Sequence, residues 1–68
     1  LLTETARALA ARGARSLVVS VLAANAPARR FYEHLGGAAE PPRMEPGPGG
    51  GSYEEVAYLW ADIATLIG

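Results

Sequence analysis

The run Ser-Leu-Val-Val-Ser-Val-Leu-Ala at residues 16–23 constrains this chain more than any other segment. It is rich in β-branched residues and apolar on both alternate faces, with Leu17, Val19 and Val21 on one and Val18, Ser20 and Leu22 on the other. Such a strand is expected to be covered on both sides, as in the interior of an α/β sheet with helices packed above and below. The chain has little length in which to supply that cover. At 68 residues it is about half an ordinary domain of roughly 100–200 residues, so at most one core is expected. A chain of this size buries only about 60% of its unfolded surface, and with no Cys neither a disulfide nor a thiolate metal site makes up the shortfall. Something else is expected to complete the fold.

Two helices flank the strand in the sequence. Residues 1–12 are strong helix formers, with Leu2, Ala6, Leu9 and Ala10 on one stripe, Glu4 and Arg7 spaced to pair, and Gly13 at the stop. No capping residue precedes Leu1, which reads as a helix whose beginning lies upstream. After the strand, Asn25 is placed to cap a helix of roughly ten residues with Pro27 in its first turn and Gly36 as its stop. Ala28, Phe31, Tyr32 and Leu35 recur at helical spacing as its buried face, leaving Arg29, Arg30, Glu33 and His34 on the wet side.

Residues 38–52 hold four Pro and four Gly, which suit a poor edge strand around residues 40–44 followed by a mobile loop. Residues 53–60 alternate as a strand with Val56, Tyr58 and Trp60 on one face, expected to pair with the weak strand before it. Asp62 is placed to cap a short final helix that lays Ile63, Leu66 and Ile67 on the core. The fold class is therefore mixed α/β (α+β): helix, buried strand, short helix and C-terminal β-hairpin, in one partial domain over residues 1–68.

Six Arg and no Lys against seven acidic residues give a net charge of −1, which argues against a nucleic-acid footprint. No apolar stretch approaches the ~20 residues of a membrane span, and no secretory signal is visible, so a cytoplasmic protein is expected. His34 has no second His or Cys with which to form a metal site.

The segment Asn-Ala-Pro-Ala-Arg-Arg-Phe-Tyr-Glu-His-Leu-Gly-Gly, residues 25–37, resembles the Asn-x-x-Ala-x-x-Phe-Tyr-x-x-x-Gly signature of the GNAT superfamily of N-acetyltransferases. The flanking helix and strand, and the Tyr-x-x-Val-x-Tyr-x-Trp-x-Asp-x-x-x-Leu of residues 53–66, extend the resemblance over nearly the whole chain. What is covered is the C-terminal half of that acyl-CoA N-acyltransferase fold. The glycine-rich loop that opens the long helix in the family, and holds the acetyl-CoA pyrophosphate there, is not in this sequence. Gly37 also stands where the family often has Phe, which removes a core contact.

The resemblance implies acetyl transfer from acetyl-CoA to an amine, with Tyr32 as the acid that protonates the departing CoA thiolate. With reference pKa values of about 10 for a phenol and about 8.5 for a thiol, that role is energetically serviceable. From the residues alone Tyr32 is as readily a core aromatic. Asn25 and Ala28 are implied to lie against the cofactor arm, although Asn25 also reads simply as a cap. Arg29 is a candidate phosphate contact, with a solvated helix face as the plainer reading. No general base is identifiable and the acceptor amine is unspecified. Two further readings stand beside the enzyme. The strand 17–22 would keep an unpaired, apolar edge, so self-association as a homo-oligomer or interaction module is expected; or a separate N-terminal half completes the fold.

Overall fold

The computed structural model describes residues 2–67; Leu1 and Gly68, which the sequence assigned to the first helix and the final turn, lie outside the described residues. In chain order the elements are α1 (Leu2–Ala11), β1 (Leu17–Leu22), α2 (Ala26–His34), β2 (Ala38–Ala39), β3 (Arg43–Pro46), β4 (Ser52–Trp60) and α3 (Ala64–Ile67). The class is mixed α/β: among the described residues, three α-helices accompany one open, antiparallel, four-stranded sheet.

β4 is the centre of the sheet because it has the longest uninterrupted alternation and no Pro or Gly to break the ladder. β1 pairs with one side of it, from Leu17 opposite Trp60 to Leu22 opposite Glu55. β2 and β3 share the other side, with Ala38 opposite Leu59 and Met44 opposite Glu54. The weak edge strand expected around residues 40–44 is thus two short strands, split where Pro41 and Pro42 cannot donate to the ladder. The glycine-rich stretch beyond them is a tight connection, with a 3-10 turn at Pro48–Gly50 and the Gly47 N–H donating to Gly51 O at 2.7 Å. Gly49 and Gly50 take φ of 78° and 85°, a region open to them because they lack a Cβ.

The core lies on one face of β4. Val56, Tyr58 and Trp60 are buried there with Ala6 of α1 and with Ile63 and Leu66 of the C-terminal turn. Leu2, Leu9 and Ala10 of α1, the odd-numbered residues of β1, and Tyr32, Leu35 and Ile67 pack around them, as their spacing predicts. Asp62 starts the last turn as expected, its Oδ1 accepting from Ala64 N at 3.0 Å. Glu4 and Arg7 do not pair; the ion pair found among the described residues joins Arg43 and Glu45 at 3.5 Å.

Two expectations fail for one reason. Val18 and Leu22 of β1 are 54% and 52% exposed, and Phe31 of α2 is 51% exposed. β1 is an edge strand covered on one face rather than an interior strand covered on two, because the core residues of the helices gather on the Tyr58 side of the sheet. The apolar second face meets no covering layer among the described residues. Extents of 39 × 23 × 20 Å and a radius of gyration of 13.2 Å express the same thing, since a compact chain of this length would have about 11 Å. The far half of the β3–β4 hairpin, with Met44 62% exposed, reaches beyond the helical layer.

Candidate functional site

The chemistry-bearing side chains converge on α2. Asn25 ends the turn after β1 and caps the helix, its Oδ1 accepting from Ala28 N at 3.3 Å, while Pro27 fits the first turn where no helical N–H is needed. The capping role expected of Asn25 is therefore met. The same bond occupies the Ala28 N–H, so Ala28 has only its methyl and carbonyl to offer a ligand.

Arg29 is not a free phosphate finger, nor are Arg29 and Glu33 simply a wet face. The Arg29 Nε donates to the Tyr58 hydroxyl at 3.1 Å and its Nη1 donates to Ala23 O at 3.3 Å. The Tyr58 hydroxyl in turn donates to Glu33 Oε2 at 2.6 Å. Arg29 and Glu33 stand one helical turn apart on α2, so a single buried phenol from β4 is gripped from both sides by opposite charges. The hydrogen bond to Tyr58, reinforced by neighbouring negative charge, raises the pKa of the Arg29 guanidinium above its already high ordinary value. This bridge is absent from the sequence reading. Its partners are 25 and 29 positions apart, and the alternation of β4 assigns Tyr58 to the core without saying what its hydroxyl meets.

Tyr32 lies on the adjacent face of α2. Its ring centroid is 5.9 Å from those of both Tyr58 and Trp60, and 5.5 Å from that of Phe31. Trp60 is fixed in turn by its Nε1, which donates to Leu35 O at 3.1 Å. Gly37 sits against this indole, where a Cβ would come within 2.7 Å of Trp60 Cζ2. A side chain here would displace Trp60, so the glycine is a packing requirement and not merely a lost contact. No buried side-chain oxygen or nitrogen among the described residues lacks a hydrogen-bond partner.

Two open cavities flank α2. One of about 370 Å³ is lined by Phe31 and Tyr32 together with Leu2, Glu4 and Thr5 from the first turns of α1. The other, of about 420 Å³, lies at the end of β1 among Leu22, Ala23, Ala24, Arg29, Tyr53 and Glu54. The sequence-derived residues are thus divided. Tyr32 belongs to the first cavity and Arg29 to the second, while Asn25 and Ala28 line neither. Among the described residues, no group of three or more His, Asp or Glu is placed to hold a metal ion, and no helix is long and apolar enough to cross a membrane.

Compared with protein-family models the chain matches none, and comparison with curated proteins returns no similar sequence.

Proposed function

We propose that these residues are the C-terminal part of an acetyl-CoA-dependent N-acetyltransferase fold of the GNAT type, with Tyr32 as the acid at the departing sulfur. The observation that carries the reading is the setting of Tyr32. Its ring is held against Tyr58 and Trp60, yet its side chain forms one wall of an open cavity whose opposite wall is the start of α1. In the family that helix start is the cofactor end, so the phenol and the cofactor end share one cleft. A tyrosine that only filled the core would be sealed, as Tyr58 is.

In the transfer the acceptor nitrogen bonds to the acyl carbon, the carbon–sulfur bond breaks, and the electron pair leaves on sulfur. Tyr32 gives its proton to that sulfur, the nitrogen gives up its surplus proton to solvent water, and the phenol is reprotonated from solvent; the ring meanwhile is held by its aromatic packing. Asn25 uses only its carbonyl end in the cap, which leaves the amide N–H₂ for a polar ligand group. Arg29, engaged by Tyr58 and Ala23, serves the scaffold in this reading.

The phosphate-holding loop of the family is not in this sequence, so the 68 residues alone should bind CoA at about 1 mM or weaker. Titrating CoA into ¹⁵N-labelled chain should shift the amides of residues 2–5 and of Phe31 and Tyr32. Shifts confined to the cavity beside Leu22 and Glu54, with residues 2–5, Phe31 and Tyr32 unmoved, would sink the reading.

A further inference from the structure

On the side of the sheet away from β1, proline falls where the backbone points outward. Glu40 N donates to Ala57 O at 2.8 Å and Gly47 N donates to Gly51 O at 2.7 Å, so both amides are aimed at β4. Residues two apart in an antiparallel ladder repeat that arrangement, which places Ala38, Arg43 and Glu45 among the residues bonded to β4, opposite Leu59, Glu55 and Tyr53. Ala39, Met44 and Pro46 therefore direct their backbone groups outward. From Ala38 to Arg43 this side advances five residues while β4 advances four, from Leu59 to Glu55, so Pro41 and Pro42 stand at a bulge. Every residue whose N–H the ladder uses between 38 and 47 has one to give. Of the other five, Ala39, Pro41, Pro42, Met44 and Pro46, three are Pro.

We infer that Pro41, Pro42 and Pro46 make this the closed edge of the sheet, so that no strand of a partner chain adds to β3 and any strand joining the sheet does so on the β1 side. Strand addition needs donors and acceptors in alternation along the edge. Proline offers only its carbonyl, and its ring occupies the direction in which the N–H would project. A strand laid along β3 would find donors at Ala39 and Met44 alone, on opposite sides of the bulge, and its other facing carbonyls would leave water without a partner. Charge does not close this edge. If two β3 strands paired antiparallel about Met44, Arg43 of each would face Glu45 of the other, an attractive match, and Met44 at 62% exposure would gain apolar cover. The side chains favour pairing and the backbone opposes it, which gives the closing role to the prolines. The inference rests on the backbone pattern, is independent of the acetyltransferase reading, and holds whatever chain precedes residue 1 or follows residue 68.

The chain at about 10 μM and about 1 mM supplies the test, its own strands being the probe at the higher concentration. Amide exchange at Ala39 and Met44 should agree within about twofold between the two. Combining Pro41→Thr, Pro42→Thr and Pro46→Thr restores outward donors while altering only exposed side chains. That variant should associate through β3, with Met44 exchange slowed at least about tenfold at about 1 mM. Should it not fold, Pro46→Thr alone makes residues 44 and 46 successive outward donors and should slow Met44 by about threefold. Exchange at Met44 that slows with concentration in the unmodified chain, or that stays level with concentration in a folded variant, would overturn the inference.

Discussion

At Tyr58 a single hydroxyl joins sheet to helix, accepting from Arg29 and donating to Glu33. Hydrogen bonds to charged groups contribute about 1.5–3 kcal/mol, but Glu33 is exposed and would regain water on losing its partner. Tyr58→Phe should therefore cost about 1–2 kcal/mol, read as a lower urea midpoint at unchanged slope. A loss below about 0.5 kcal/mol would mean that the bridge is energetically idle. The raised pKa of Arg29 adds no pH dependence near neutrality. A cation whose pKa rises on folding contributes fully below its unfolded pKa and loses that contribution only as pH climbs through the folded one, far into the alkaline range. Gly37 poses a contest of signs. Gly37→Ala would gain about 0.4–1 kcal/mol from a stiffer unfolded chain, but the 2.7 Å approach to Trp60 is overpacking of the kind that costs about 1–3 kcal/mol. With the indole held by Leu35 and Tyr32 the clash wins, and a net loss near 1–2 kcal/mol with a shifted Trp60 fluorescence maximum is expected.

Among the elements, α2 has nine residues, too few to persist in water without its cap and its packing. Asn25→Ala should cost about 1 kcal/mol and raise amide exchange in the first turn of α2. Asn25→Asp should restore the stability, since aspartate caps as well, while removing the amide donor assigned to a ligand. If both variants lose stability equally, the Oδ1 bond to Ala28 is not the basis of the cap. Periodicity made α1, β1, α2, β4 and α3 legible in advance, together with the caps at Asn25 and Asp62 and the stop at Gly36. It could not tell that the apolar Val18, Leu22 and Phe31 would remain exposed, because periodicity registers which residues can be buried and not whether a covering layer exists. The Tyr58 bridge was hidden for a related reason: it depends on two elements docking in a particular register. Of the candidate site, Tyr32 and Asn25 could be picked out from sequence, whereas the separation of Tyr32 from Arg29 into two cavities follows from the rotation of one helix over the sheet.

For the whole molecule, the radius of gyration and the half-covered sheet describe a chain that cannot bury its own apolar surface. Its stability should then depend on what it associates with. If folding and self-association of the chain are linked, a folded dimer gains on the unfolded monomers as the chain is concentrated. A tenfold increase in concentration corresponds to about 1.4 kcal/mol per dimer, or about 0.7 kcal/mol per chain, and for a domain this small each kcal/mol moves the midpoint by about 4–8 °C. Tm should thus rise by about 3–6 °C for each tenfold increase above the dissociation constant. Scanning calorimetry over two decades of concentration measures the rise. A Tm that stays level would show association between copies to be no part of what holds the fold together, since a contact made between two copies must register in a midpoint set by mass action.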